Sequence, residues 1–372
     1  MVDIKIPLVR ATIEDDDVKS TILAVSEKEF SYGKLARRFE EDFARYIGVE
    51  GGVATNSGTA ALHLALRALN VKKGDEVILP SYTCISLLQA IHYVQATPVF
   101  ADIDFDVERM EYNMDAEDVA RRTTKRTKAI IVPHLFGSPA RIDKIIDSGI
   151  PVIEDATQAI GSVYKDRNVG SFGTISIVSF HESKVLACGE GGMILTNTKD
   201  TLDRIRYLAD YAYEQPFLRF EKSTTYPFEE RYNYKMSGVN AALGISQLKK
   251  IKQFIKRRKE LAKLYNDELL SIESIDLPDP SYKPNIFFRY MVYLKEKNPT
   301  DVLAYLLRHG IEGGRGVYPP LHYYYKSGKM EKYPMTEHAM SHLVSVPLYP
   351  SLTDNEIEFL INCFKDSLKD GL

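Results

Sequence analysis

The sequence predicts an α/β fold: a large domain with a mostly parallel sheet covered by helices, then a smaller α+β domain. Short apolar runs alternate with stretches of helical periodicity from Gly52 to Thr196, the rhythm of strand–helix–strand units. The runs, such as Val77-Ile78-Leu79 and Ile175 to Val178, are short and dominated by apolar residues, as are strands buried on both faces. From about Met236 the pattern changes to one long, basic, amphipathic stretch. At 372 residues the chain is long enough to divide its core in two. A boundary near residue 245 gives domains at 1–245 and 246–372.

In chain order, Leu35, Phe39, Phe43 and Ile47 form a helical stripe that ends at Gly48, a common C-terminal stop. Gly52 to Thr55 reads as a strand, and Asn56-Ser57-Gly58-Thr59 opens a helix over Ala60 to Leu69. A turn at Lys73-Gly74-Asp75 leads to a strand at Glu76 to Leu79, closed by Pro80. Ser81 to Tyr93 reads as helix, Pro98 to Asp102 as strand, Asp115 to Arg122 as helix, Ala129 to Pro133 as strand and Ala140 to Asp147 as helix. Val152-Ile153 is a strand ending at Glu154-Asp155, and strands at Ile175 to Val178 and Met193 to Thr196 flank a polar turn. Ala241 to Leu270 is a long helix with Leu248, Ile251, Phe254 and Leu261 at helical spacing. Phe287 to Leu294 alternates like a strand, Val302 to His309 is helical, and Asp354 to Leu368 is a closing helix capped by Thr353.

The 48 basic and 51 acidic residues leave a net charge of −3, which argues against a nucleic-acid partner held by a strong basic field. Cys84, Cys188 and Cys363 are widely spaced, with no CxxC pair and no Cys/His metal spacing. No metal site is therefore expected, and few cysteines suit the reducing cytoplasm. No apolar signal core opens the sequence and no run of 18 apolar residues occurs, so the expected localisation is cytoplasmic, with no membrane partner.

Sheets of this kind bind ligands at the carboxyl ends of their strands, and three motifs lie there. Asn56-Ser57-Gly58-Thr59 sits at a strand-to-helix junction, where backbone amides, hydroxyls and the helix dipole suit either a phosphate or a plain N-cap. Glu154-Asp155-Ala156-Thr157-Gln158 ends a buried strand, and a poorly solvated carboxylate there needs a cationic partner. Lys184 follows Ser179-Phe180-His181 in a polar turn before Gly189-Glu190-Gly191-Gly192. By itself it reads as a surface lysine; desolvated, it becomes a nucleophilic amine. A phosphate cradle, a carboxylate for a pyridine nitrogen and an imine-forming lysine are together what pyridoxal 5'-phosphate (PLP) requires.

On these motifs the sequence resembles the DegT/DnrJ/EryC1/StrS family of PLP-dependent nucleotide-sugar aminotransferases. Further matching stretches are Ser31-Tyr32-Gly33, Gly74-Asp75-Glu76-Val77-Ile78, Pro98 to Asp104, Tyr232 to Ser237, Pro319-Pro320-Leu321-His322 and Pro347-Leu348-Tyr349-Pro350. The resemblance implies a fold-type I transferase. It makes Lys184 the lysine of the internal aldimine and the proton shuttle. Asp155 pairs with the pyridine nitrogen, Gln158 lies near the ring hydroxyl, and Gly58, Thr59 and Ser179 hold the phosphate. It also implies a homodimer with shared active sites, in which Asn233 and Lys235 reach the partner's cofactor phosphate. Where many relatives stack an aromatic residue on the cofactor ring, this chain has Cys84, with Tyr82 nearby. His181, Arg315 and His322 are candidates for substrate contact. The long aromatic and charged loop from Tyr211 to Arg231 is of the kind that closes over a ligand or an interface.

The implied reaction moves an amino group from a donor, L-glutamate, to a nucleotide-linked keto-sugar by a ping-pong route. A PLP-dependent sugar dehydratase is the first alternative, and there histidine replaces the lysine. A non-catalytic regulatory protein on the same fold is the second. A nicotinamide dehydrogenase lacks its G-x-G-x-x-G turn here.

Overall fold

The computed structural model describes residues 4–106, 111–210, 229–325 and 332–369. Residues 211–228 of the loop expected to close over a ligand lie outside them. Helices α1 (Asp15–Ser26) and α2 (Lys34–Ile47) precede strand β1 (Gly51–Thr55) and helix α3 (Gly58–Ala68). Then come β2 (Glu76–Pro80), α4 (Ile85–Tyr93), β3 (Thr97–Ala101), the hairpin β4 (Ile103–Asp106) and β5 (Glu111–Met114), α5 (Ala116–Arg122), β6 (Thr127–Pro133) and α6 (Ile142–Ile146). β7 (Val152–Asp155) is followed by the small hairpin β8 (Val163–Tyr164) and β9 (Arg167–Asn168), then β10 (Ile175–Ser179), β11 (Gly192–Thr196) and α7 (Lys199–Ala209). The remainder holds α8 (Gly238–Leu269), β12 (Ile275–Asp276), β13 (Tyr290–Leu294), α9 (Pro299–Arg308), α10 (Pro334–His342), β14 (Leu343–Val346) and α11 (Asp354–Ser367).

The seven-stranded sheet runs β1-β11-β10-β7-β6-β2-β3. Neighbours from β10 to β3 are parallel, and only β11 runs antiparallel to its two neighbours. Side chains such as Ile78, Ile131 and Ile177 are buried, which is why these strands read as near-continuous apolar runs. β12, β13 and β14 form a separate antiparallel sheet that packs with α8, α9 and α11 in a second core.

Helix α8 joins the two cores. Ala241, Ile245, Ile251 and Phe254 belong to the core under α2 and β1, while Leu261, Ala262, Tyr265 and Leu269 belong to the second core. Residue 245 therefore lies inside one unbroken helix. Ile6 also enters the second core, and Lys5 and Ile6 donate backbone hydrogen bonds to Gly310.

Several boundaries differ from the sequence reading. The helix expected from Ser81 starts at Ile85, because Ser81 N–H still extends the sheet by donating to Ala101 O. The helix expected over Ala140 to Asp147 spans Ile142–Ile146. The strand expected from Phe287 starts at Tyr290, since Phe287 has φ 53° and its N–H turns back to Asn285 Oδ1 (2.8 Å). Among the described residues no helix is long and apolar enough to cross a membrane.

Candidate active site

The carboxyl ends of β7 and β10, the start of α3 and the segment after β2 surround a cavity of about 290 Å³. Gly58, Thr59, Cys84, Asp155, Gln158, Ser179, His181 and Lys184 all line it. Three separate sequence motifs thus meet in one place.

At one end, Ser57 in extended geometry caps α3 by accepting from Ala60 N–H (3.1 Å). The cap reading of this motif is therefore correct, and it leaves the first-turn amides that a helix cannot satisfy internally. Gly58 packs on Ser179: a Cβ added there would stand 2.7 Å from Ser179 Cβ. Gly192 is as tightly placed, with an added Cβ 2.5 Å from Ser57 O. Glycine at 58 and 192 lets β10, β11 and α3 approach one another closely. Gly58→Ala is expected to destabilise the protein by about 1–3 kcal/mol and to weaken phosphate retention, measured as thermal midpoint and as cofactor loss on dialysis.

At the other end, β7 sends successive side chains to opposite faces, as strands do. Glu154 turns away from the cavity. Its carboxylate accepts from the N–H groups of Gly170, Phe172 and Gly173, from Ser176 Oγ and from His134 Nε2 (2.6–3.0 Å). His134 Nδ1 accepts from Ala140 N–H (2.8 Å), so the ring proton sits on Nε2. Burial alone would raise the Glu154 pKa, but His134 and these amides hold it below the ordinary carboxylate value.

Asp155 faces the cavity. Its Oδ1 accepts from Thr157 N–H (3.0 Å), and Thr157 Oγ1 in turn accepts from Ser179 N–H (3.1 Å), which ties β7 to β10. Burial pushes the Asp155 carboxyl above its usual range, against the opposing pull of Thr157 and Lys184. Gln158 Oε1 accepts from Phe136 N–H (2.9 Å).

Lys184 lies in a turn pinned by Phe180 N–H to Gly191 O, Glu182 N–H to Gly189 O and Cys188 N–H to Phe180 O. Its Nζ is 5.4 Å from the Phe288 ring centroid and has no hydrogen-bond or ion-pair partner among the described residues. Burial lowers its pKa, against the opposing charges of Cys84 and Asp155, and Arg289 lowers it further. An amine in that state carries a larger fraction of its reactive free base at neutral pH.

The remaining candidates separate. Cys84 lines the cavity, whereas Tyr82 is fully buried, packs edge-on against Phe136 (6.1 Å) and does not line it. His181 Nδ1 accepts from Ser183 N–H (3.2 Å), and its Nε2 lies 3.9 Å from Glu190. Arg315 Nη2 donates to Thr300 Oγ1 (2.6 Å), and its guanidinium stacks on Tyr318 (4.6 Å), away from the cavity wall. His322 spends both ring nitrogens, on Ser81 Oγ (2.5 Å) and Glu337 Oε1 (2.8 Å), and braces the segment leading to Cys84. Asn233 pairs with Asp210 through the backbone. Lys235 bonds Asp210 and borders a different cavity beside Tyr32, Arg37 and Arg206. Their own chain does not bring them to Lys184. Among the described residues no cluster of three or more His, Cys, Asp or Glu is placed to hold a metal.

Four contributors escaped the sequence reading. Thr157 carried a readable signal, a hydroxyl two residues after Asp155 in a turn. His134, Phe288 and Arg289 carried none, because long-range packing alone brings them to the site.

The fold and cavity define a PLP-dependent transferase of fold-type I. A model of the DegT/DnrJ/EryC1/StrS aminotransferase family matches residues 12–365, and the chain belongs to that family. It is a PLP-dependent sugar aminotransferase. It is 31% identical to the GDP-perosamine synthase of Escherichia coli O157:H7, over 91% of this chain and 92% of that protein. It is 34% identical to EpsN of Bacillus subtilis (strain 168), described as a putative pyridoxal phosphate-dependent aminotransferase, over 78% and 75% of the two chains. The crystal structure of the aminotransferase TlmJ from Streptoalloteichus hindustanus superposes with a TM-score of 0.89 at 27% identity, over 99% of each chain. The residues present fit the cofactor. Gly58 leaves a cradle that a Cβ would fill, Asp155 is a buried carboxyl that a cationic ring nitrogen would stabilise in its ionised form, and Lys184 Nζ is unpartnered.

Proposed function

We propose that this enzyme transfers an amino group from an amino-acid donor, L-glutamate, to the keto carbon of a nucleotide-linked sugar, the two substrates using the cavity in turn. The observation that carries the reading is the unpartnered, desolvated Lys184 in one cavity with the buried carboxyl of Asp155. The GDP-perosamine synthase name of a relative supports a nucleotide-linked acceptor.

When bound, PLP supplies an electron sink for the charge left when a proton leaves the carbon bearing the transferred nitrogen. Lys184 Nζ would hold the cofactor and, as a free amine, would take up and return that proton. Asp155 would keep the ring nitrogen protonated, which matches the carboxylate's own need for a cation. Gly58 and Thr59 amides and the Ser179 hydroxyl would hold the phosphate. Gln158 and Cys84 line the same cavity; Gln158 would serve the ring hydroxyl, and Cys84 would cover the ring.

The reading includes a homodimer in which Asn233 and Lys235 reach the partner's cofactor phosphate. Their separation from Lys184 within one chain supports it. So does an exposed apolar stripe on α1, with Val18, Ile22 and Val25 each about half exposed, together with Phe30.

The test is a half-reaction screen. Amine-form enzyme is mixed with a panel of nucleotide keto-sugars, and the aldehyde-form absorbance is followed. Its return with at least one of them, and its loss on adding glutamate, is expected. No return with any nucleotide keto-sugar, alongside return with free keto acids alone, refutes the acceptor class.

A further inference from the structure

Lys184 lies between β10 and β11, and the backbone bonds within that segment use the N–H groups of Phe180, Glu182, Lys184 and Cys188. Two further backbone groups, just past the lysine, face α8 instead. Ala187 N–H donates to Gln247 Oε1 (3.4 Å), and Cys188 O accepts from Asn240 Nδ2 (2.6 Å). Asn240 and Gln247 lie about two turns apart on α8 and share a face of it. Neither lines the cavity, so neither touches substrate or cofactor.

Both amides are fixed in orientation by their other bonds. Asn240 Oδ1 accepts from Ser237 Oγ, which turns its Nδ2 toward Cys188 O. Gln247 Nε2 donates to Thr12 O (3.0 Å) and to Asp17 Oδ2 (2.8 Å), which leaves Oε1 as the acceptor for Ala187 N–H. Asp17, Gln247, Ala187 and Cys188 are all buried, so water does not replace a partner lost from this chain. Lys184 Nζ has no polar partner of its own among the described residues. Its position is therefore set by the backbone that carries it.

We infer, on the aminotransferase reading above, that Gln247 together with Asn240 is a positioning residue for Lys184. Through Gln247 the lysine's turn is tied to Asp17, at the start of a helix remote from it in sequence. Catalysis tolerates little displacement of a reacting amine: a shift of about 1 Å can cost roughly 10²-fold in rate. The glutamine acts only through the turn, so its loss is felt in the chemical step more than in substrate binding.

The test uses Gln247→Glu, the double variant Asp17→Asn/Gln247→Glu, and Gln247→Met. Leu261→Ala, on the same helix but in the second core, is the control for stability alone. Gln247→Glu still accepts from Ala187 N–H but sets a second carboxylate against Asp17. Adding Asp17→Asn restores the pair with donor and acceptor exchanged. In cofactor-free protein Gln247→Glu is expected to speed amide exchange over residues 180–191 by roughly 10-fold, as for one lost buried hydrogen bond. In loaded enzyme it should move the pH midpoint of the cofactor's visible absorbance and lower kcat by roughly 10–100-fold, with KM within about threefold. Gln247→Met, which removes the acceptor at similar volume, shifts all three readouts the same way, and the double variant restores them. Leu261→Ala lowers the thermal midpoint but leaves the absorbance midpoint and kcat unchanged. Unchanged exchange over 180–191, a loss in KM alone, no recovery in the double variant, or the same absorbance shift in Leu261→Ala would each overturn the assignment. Borohydride labelling of wild type separates this from the underlying reading: a label on a residue other than Lys184 removes the aminotransferase reading, and the role of Gln247 with it.

Discussion

Lys184→Ala is expected to lower kcat for amino transfer by about 10³-fold or more, the scale of a lost acid–base group combined with a lost nucleophile. Borohydride treatment should fix the cofactor to the wild-type chain at Lys184 and label nothing in the variant. Lys184→Arg is the sharper control. It restores a cation beside Asp155 but not a free amine, and should be equally inactive. A variant that keeps activity, or a label that maps to another residue, would remove Lys184 from the mechanism. His181, three residues earlier and on the same cavity, is the position where such a label would point to a misassigned turn.

Asp155→Asn carries the second large effect. Taking the charge from a buried pair costs about 3–5 kcal/mol, so kcat should fall by roughly 10²–10⁴-fold while the Lys184 label survives. Heat stability provides an independent readout. Burial raises the Asp155 pKa in the protein without its cofactor. A carboxyl raised in this way contributes stability that is present below its unfolded pKa and is lost as pH rises through the folded value. At neutral pH stripped Asp155→Asn should therefore melt above stripped wild type. Adding cofactor reverses the order, because only the carboxylate pairs with the ring nitrogen. The same melting order with and without cofactor would contradict the pairing.

The parallel sheet was legible because its strands are buried on both faces, and burial of that kind writes itself as short apolar runs. The site motifs were legible because they follow strand ends and helix starts, where Gly58, Asp155 and Ser179 have local reasons to be what they are. Helix α1 left no comparable trace. It carries exposed Ile22 and Leu23 and is anchored by buried Asp17, which accepts from Lys250 Nζ and Gln247 Nε2. That contact reaches across more than two hundred residues, and no periodicity announces it. Arg315 and His322 show the opposite failure. Their residue types suggest an anion site, yet Thr300, Tyr318, Ser81 and Glu337 engage them. Partners supplied by folding, rather than residue type, mark Arg315 and His322 as bracing residues.

The continuity of α8 has a practical consequence for recombining this enzyme with its relatives. A 32-residue helix is about 48 Å long, and its two halves belong to different cores. A crossover at residue 245 would join half of one helix to half of another and demand that both sets of packing partners agree in rotation and rise. The segment ahead of Ser237, whose hydroxyl caps the helix by accepting from Asn240 N–H (3.1 Å), makes no such demand. Chimeras that exchange C-terminal portions should therefore be spliced before Ser237, carrying α8 whole with the sheet it ends upon, and should also exchange the strand-like segment at Ile6 that pairs with Ile311.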